Sequence, residues 1–254
     1  MIIEGIRQLV RRARSGSDEA VIELAELGVT YRDSIKSVTK WCPFPELLAM
    51  LEAQQRKNFP PAYYAMARLL RSRSRKSDRR RIFACHRLAA SCDPWWMGKN
   101  AVDGNIAGSQ YEMGEYYQRA TFPVLKADFH EAFRWYLMAA VTGFREAQYM
   151  VGYKLSVGEG VLKCPEEAIV WWTRAAKWGC SRAAINLGVA FEEGRGTKKN
   201  PSMAFKWYKA GFDLHDSLGS YNLGRCYRFG IGVKKDEAKA RELFGETETS
   251  KPKP

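Results

Sequence analysis

The chain has 254 residues, 46% of them hydrophobic and 13% aromatic, which is ample for a buried core in one or two domains. Forty-one lysines and arginines stand against 28 aspartates and glutamates, a net charge of +13, so acidic or phosphate-bearing partners are favoured over basic ones. No run of 18 or more apolar residues occurs, and no membrane-spanning helix is expected.

The first segment, MIIEGIRQLVRRARSGSDEA, places Ile2, Ile6, Leu9, Val10 and Ala13 opposite Arg7, Arg11, Arg12 and Arg14, the pattern of a basic amphipathic helix. Its apolar stretch is too short and too interrupted by charge for a secretory signal. A cap helix packed on the rest of the chain is the reading that Glu4 favours; a mitochondrial presequence or a membrane-surface helix stays open beside it. Helix-like stretches follow near Ser17–Leu24 and Glu46–Leu51, without any repeat phase. Residues 1–60 are therefore expected to form an N-terminal helical cap. Ser37-Val38-Thr39-Lys40 has the Ser-x-x-Lys form of penicillin-recognising enzymes, but no companion motif follows and the surroundings are helical.

Arg68, Arg71, Arg73, Arg75, Lys76, Arg79, Arg80 and Arg81 make eight of fourteen consecutive residues basic. Three readings compete for them: a phosphate-binding loop for RNA or DNA, a contact for an acidic protein or anionic lipid, and a solvated loop. No nucleic-acid motif accompanies the stretch.

From Gly114 onward the chain repeats itself. Gly-x-Gly recurs at Gly158/Gly160, Gly194/Gly196 and Gly230/Gly232, 36 residues apart. Gly152, Gly188 and Gly224 keep that interval, as do Ala132, Ala168, Ala204 and Ala240 and the doublets Trp135-Tyr136, Trp171-Trp172, Trp207-Tyr208 and Leu243-Phe244. Such a period means stacked supersecondary units. In the unit 145–180, Ala147, Val151 and Leu155 form one helical stripe, Gly158 supplies a left-handed cap, and Ala168, Trp171, Trp172, Ala175 and Ala176 recur at three- and four-residue steps. Helix starts are marked by Asp128 with Glu131, by Pro165-Glu166-Glu167, by Asn200-Pro201 and by Asp236-Glu237. The unit is a helical hairpin. Good copies span 109–143, 145–180, 181–216 and 217–246; a degenerate one spans 62–92, and 247–254 is expected to be a flexible tail. In the first good copy Thr121–Leu125 replaces the glycine turn.

The pattern in Tyr111–Gly114, Tyr149–Gly152, Ile185–Gly188 and Tyr221–Gly224, with its downstream doublets, resembles the Sel-one-like repeat (SLR) family of tetratricopeptide-like hairpins. The resemblance implies an all-α fold, a right-handed α/α superhelix or α-solenoid covering 61–246. It also implies adaptor and scaffold roles through protein contact rather than catalysis. Some secreted members lock each hairpin with a disulfide, and here only Cys85 and Cys92 stand as such a pair. The remaining cysteines, Cys42, Cys164, Cys180 and Cys226, follow no repeat, no CxxC occurs, and His86, His130 and His215 are scattered. Reduced thiols, a cytoplasmic-type compartment and no metal or cofactor are expected.

Adjacent carboxylates diverge by about 100° on a helix, so Glu166-Glu167 and Glu192-Glu193 make no matched acid and base. The binding candidates lie instead on the first helices, which line the concave side of a solenoid. Positions five and one before the recurring glycine and three after it form the buried stripe. The positions three before, one after and four after are then left to a partner. They are Tyr111, Glu115 and Gln118; Tyr149, Tyr153 and Ser156; Ile185, Val189 and Glu192; and Tyr221, Arg225 and Arg228. This mixture suits an extended peptide or a partner helix; for the tyrosines at the first position, packing on the adjacent helix is the competing reading. An RNA-associated role for the basic stretch, and an inhibitor or immunity role for the groove, remain alternatives.

Overall fold

The structure is a computed structural model that describes residues 2–30, 44–56, 60–72, 76–91, 104–120 and 126–245. Among these residues it is all-helical, without a strand, and its contacts divide at 127/128 into two units. Ser37–Lys40, Arg73, Arg75, Thr121–Leu125 and the 247–254 tail lie outside the described residues.

The first unit holds α1 (Ile2–Arg14), α2 (Asp18–Thr30), α3 (Phe44–Arg56), α4 (Pro60–Ser72), a 3-10 turn (Lys76–Asp78), α5 (Arg79–Ala90) and α6 (Gly104–Arg119). Ile6, Val10 and Ala13 turn the apolar stripe of α1 into one core with Leu24, Leu51, Met66, Leu70 and Ile82. Burial at that scale contributes about 1.5–3 kcal/mol for each large aliphatic side chain. On the polar side of α1, Arg14 donates to Glu46 at 2.8 Å. The N-terminal helix thus shares one core with α4 and α5.

The second unit is built from α7 (Phe129–Val141), α8 (Arg145–Val157), α9 (Pro165–Lys177), α10 (Ser181–Glu193), α11 (Pro201–Asp213), α12 (Ser217–Phe229) and α13 (Glu237–Phe244), each packed on the next. Gly158, Gly194 and Gly230 close α8, α10 and α12 with φ of 83°, 79° and 75°. Each donates to the carbonyl four residues back, at 2.8, 2.8 and 2.9 Å. The second glycine of each turn has a different reason to exist. A Cβ on Gly160, Gly196 or Gly232 would stand 2.0, 2.4 or 2.0 Å from backbone atoms of Phe129, Pro165 or Pro201. Those residues open α7, α9 and α11, so each turn is seated on the start of the preceding hairpin's second helix. That contact sets the stride of the stack.

The helical glycines answer to side chains. A Cβ on Gly152, Gly188 or Gly224 would meet Trp172, Tyr208 or Phe244 at 2.5, 2.4 or 2.8 Å. The second residue of each doublet therefore fills its own hairpin rather than the gap between hairpins, and it is a ring, not a helix backbone, that excludes a side chain there. Asp128, Asn200 and Asp236 cap their helices as the sequence suggests, accepting from the N–H of Glu131, Met203 and Lys239 at 3.0, 3.0 and 3.1 Å. Cys164 holds the equivalent position before Pro165 and makes no cap bond, leaving only proline and the two glutamates to start α9.

The two glycines of one turn should respond differently to a methyl group. Gly230→Ala has 3.6 Å of room and meets only the left-handed backbone cost of about 1–2 kcal/mol. Gly232→Ala adds the clash with the Pro201 carbonyl, a further 1–3 kcal/mol or so. Urea unfolding of the two variants measures the difference, and equal losses would contradict the seating of the turn.

Candidate functional site

In the second unit the first-helix face carries a cavity of about 370 Å³ between α8 and α10. Tyr153, Ser156 and Val157 form one wall, and Asn186, Val189 and Ala190 the other. Pro165 and Trp172 of α9 also line it, and Lys163 and Arg195 come from the two glycine turns. Trp172 is fixed by its ring against Gly152 and by its indole N–H, which donates to the Tyr149 carbonyl at 3.3 Å. Tyr153, Ser156 and Val189 were singled out by the sequence; Trp172, Asn186, Lys163 and Arg195 were not. Trp172 shows itself in sequence only as one of the doublets, a packing signal.

The other candidates in this unit make contacts within the chain. Tyr149 is half-buried, with the Arg182 guanidinium 4.5 Å above its ring, and burial pushes its phenol pKa up. Ile185 is buried against Gly211, so it offers nothing to a partner. Glu192 accepts from the Tyr208 hydroxyl at 2.7 Å and from Arg225 at 3.0 Å, while Arg225 also donates to Asn222. Burial and this carboxylate both raise the Tyr208 phenol pKa. Arg228 lies 4.4 Å over the Phe244 ring and pairs with Glu237 at 3.5 Å. Tyr221 is exposed, its ring edge-on to Phe244. The cause is angular. Positions three before and four after the glycine sit only about 60° and 40° from it around the helix, and the glycine itself faces a packed ring. The position one after stands at about 100° and holds Tyr153, which is exposed.

In the first unit Tyr111 and Glu115 line a second cavity, about 320 Å³, with Arg71, Glu112, Tyr116 and Arg119. Glu115 is held by Arg119 at 2.6 Å, and Gln118 is half-buried outside the lining. Arg71 donates to both Glu112 oxygens at 2.6 and 2.7 Å, which keeps its guanidinium firmly protonated. This corrects the reading of the basic stretch as one free loop. Arg68 and Arg71 lie on α4, with Arg68 5.7 Å from the Tyr64 ring centroid. Arg79, Arg80 and Arg81 form the exposed first turn of α5, where Arg81 pairs with Glu52. The side chain of Lys76 lies outside the described residues. Arg71 and Arg81 are thus paired with carboxylates, while Arg79 and Arg80 are exposed.

Two buried ionisable groups escaped the sequence reading. His86 is 1% exposed, with Nδ1 3.3 Å from Ser109 Oγ and Nε2 without a hydrogen-bond partner. Burial pushes its pKa down to about 4, with Arg71 adding to the effect and Glu112 opposing it. Lys154 is fully buried, its Nζ 2.7 Å from Glu159 and 5.1 Å from the Phe129 ring centroid. It holds the repeat position of Ala190 and Cys226, so periodicity gives no hint of it. Cys164, Cys180 and Cys226 are free thiols, and burial raises that of Cys226 to about 11, which leaves it a poor nucleophile. Cys92 lies outside the described residues. No group of three His, Cys, Asp or Glu side chains suited to a metal occurs among the described residues, nor any helix long and apolar enough to cross a membrane.

The family profile described as Sel1 repeat matches residues 107–140, 145–179, 181–216 and 217–246, more than half of the chain. A solved structure, c5321, described as a protective antigen of uropathogenic Escherichia coli strains displaying an SLR fold, is similar over 95% of this chain at 24% identity, with a TM-score of 0.77. This chain spans 48% of that one, about half its length. A Sel1 repeat protein from Oxalobacter formigenes is similar over 87% of this chain and 85% of its own, at 23% identity and a TM-score of 0.70. Both likenesses show the solenoid fold. No curated protein matches the chain by sequence.

The buried groups lead to two expectations. A histidine whose folded pKa is depressed stabilises fully above its unfolded value of 6.5 and loses that contribution as pH falls toward 4. Between pH 7 and pH 5 the loss is about 2 kcal/mol, read as a drop in the urea midpoint that His86→Gln should flatten. In the second unit, Glu159→Gln leaves a buried ammonium without its counter-charge and should cost about 3 kcal/mol, whereas Lys154→Met should stay within about 1 kcal/mol. The same urea titration compares them.

Proposed function

We propose that this chain, which belongs to the Sel1 repeat family, is a non-catalytic protein-interaction scaffold whose second unit grips a segment of a partner between α8 and α10. Sel1 repeat proteins mediate protein–protein contact, and the family is typically without catalytic activity. The observation that carries the finer reading is the cavity of about 370 Å³ bordered by Tyr153, Ser156 and Val189. These are first-helix positions that the stacking does not require to be apolar. The cavity is of the size at which a small concave site buries a ligand group. Trp172 closes its floor as a rigid ring held by the scaffold, the sort of anchor wall on which interface energy concentrates.

Arg225 and Arg228 are poor probes of this face, because their removal would break the contacts with Glu192 and Phe244. Ser156→Trp and Val189→Arg fill the cavity instead. A random-peptide display selection on the wild-type protein should enrich sequences whose affinity falls at least about tenfold, 1.4 kcal/mol or so, on either variant, with far-UV circular dichroism unchanged. Enriched peptides that bind both variants as tightly as wild type would refute the reading.

A further inference from the structure

The cavity opens beside a row of lysines. Lys163, Lys199 and Lys235 are spaced 36 residues apart, each directly before the cap residue of α9, α11 or α13. The seating of the turns brings them together. Gly196 lies against Pro165, next to Lys163, and Gly232 lies against Pro201, next to Lys199. Lys198 and Lys234 stand one residue earlier on the same turns. All five side chains except Lys163 belong to the edge alone; Lys163 also lines the cavity, as Arg195 does.

These lysines differ from the arginines of the unit. Its arginines are taken up by carboxylates or rings, as Arg195 is with Glu193, Arg225 with Glu192 and Arg182 over Tyr149. The five turn lysines pair with no carboxylate among the described residues. Of the acidic groups nearby, Glu159 holds Lys154 and Asp236 caps α13 and pairs with Lys239, while Glu166 and Glu167 are exposed at the start of α9. The five lysines outnumber Glu166 and Glu167, so the edge carries a net positive charge, and Lys163 brings it to the mouth of the cavity.

We infer that the partner segment gripped between α8 and α10 is an acidic one, with an apolar side chain in the cavity and flanking carboxylates laid along the turn lysines. This rests on the function proposed above and names the chemistry of its ligand. A linear acidic chain satisfies both halves of the surface. An extended segment advances about 3.3 Å per residue, so its carboxylates reach successive turns that are about 10 Å apart, the spacing of packed helices. A bilayer surface is too flat to place a group between two helices. A nucleic acid would take the lysines through its phosphates alone and needs no apolar group in the cavity.

Fluorescence anisotropy with short labelled peptides tests this: one leucine flanked by glutamates, by lysines or by serines, and the glutamate peptide with serine in place of leucine. The glutamate–leucine peptide should bind at least about fivefold more tightly than the others. It should weaken as NaCl rises from about 50 to about 300 mM, where screening shortens the reach of surface charge. Both Ser156→Trp and the double variant Lys163→Glu/Lys199→Glu should weaken it by a similar factor. Equal binding of the serine-flanked peptide, lost in Ser156→Trp, would overturn the acidic partner while leaving the cavity reading intact. Acidic binding that ignores Ser156→Trp or the loss of leucine would overturn it as charge attraction alone. Binding of phosphatidylserine vesicles or oligouridylate without any peptide binding would overturn it in favour of those surfaces.

Discussion

Each hairpin of the second unit depends on a glycine of its first helix meeting an aromatic ring of its second. Glycine inside a helix costs about 1 kcal/mol relative to alanine. The return is close approach: Tyr208 is fully buried over Gly188, and Trp172 is nearly so over Gly152. Burying a ring of that size outweighs the cost of the glycine. The same contact orients everything else on the first helix. With the glycine fixed against a ring, residues flanking it are drawn partly inward, and the residue one position later is left to look outward. Tyr153 and Val189 hold that position and border a cavity with Ser156, while Ile185 is buried.

A second constraint acts between hairpins. Because Gly160, Gly196 and Gly232 each press on the first residue of the preceding second helix, successive hairpins cannot slide. A fixed stride turns equal sequence intervals into equal spatial intervals. Single side chains then bridge neighbours reliably, as Arg225 of α12 reaches Glu192 of α10, which also takes the Tyr208 hydroxyl of α11. That bridge and the turn lysines are consequences of one geometry. In the first case opposite charges come into register, and in the second like charges do.

The hairpins and their caps were legible in the sequence because their causes are local: a glycine that must be left-handed, an acceptor before a helix, a stripe at helical spacing. The site was legible only in part. Helical angles say which way Glu192, Arg225 and Arg71 point from their own axes, but their partners lie 33 and 41 residues away on other helices. Periodicity carries no information about such pairs, so residues that look free in sequence prove engaged. Lys154 was hidden for the converse reason. Nothing marks a lysine as buried when its neighbours in the repeat are alanine and cysteine, and only the coincidence of Glu159 with the Phe129 ring makes its burial tolerable.

The positions that repeat and those that do not have therefore divided the work. Glycines and small residues recur from copy to copy, and the second residue of each doublet is always aromatic, since stacking leaves them little latitude. The position one after the helical glycine carries Glu115, Tyr153, Val189 and Arg225 in turn, four different chemistries at one place in the hairpin. Substitution there leaves the glycine–ring contact and the seated turns untouched, so the solenoid can hold its shape while its face changes character. Recognition written at such positions costs the framework little. A binding surface in this chain is then to be sought where the repeat breaks its own pattern, and the cavity beside Tyr153 and Val189 is such a place.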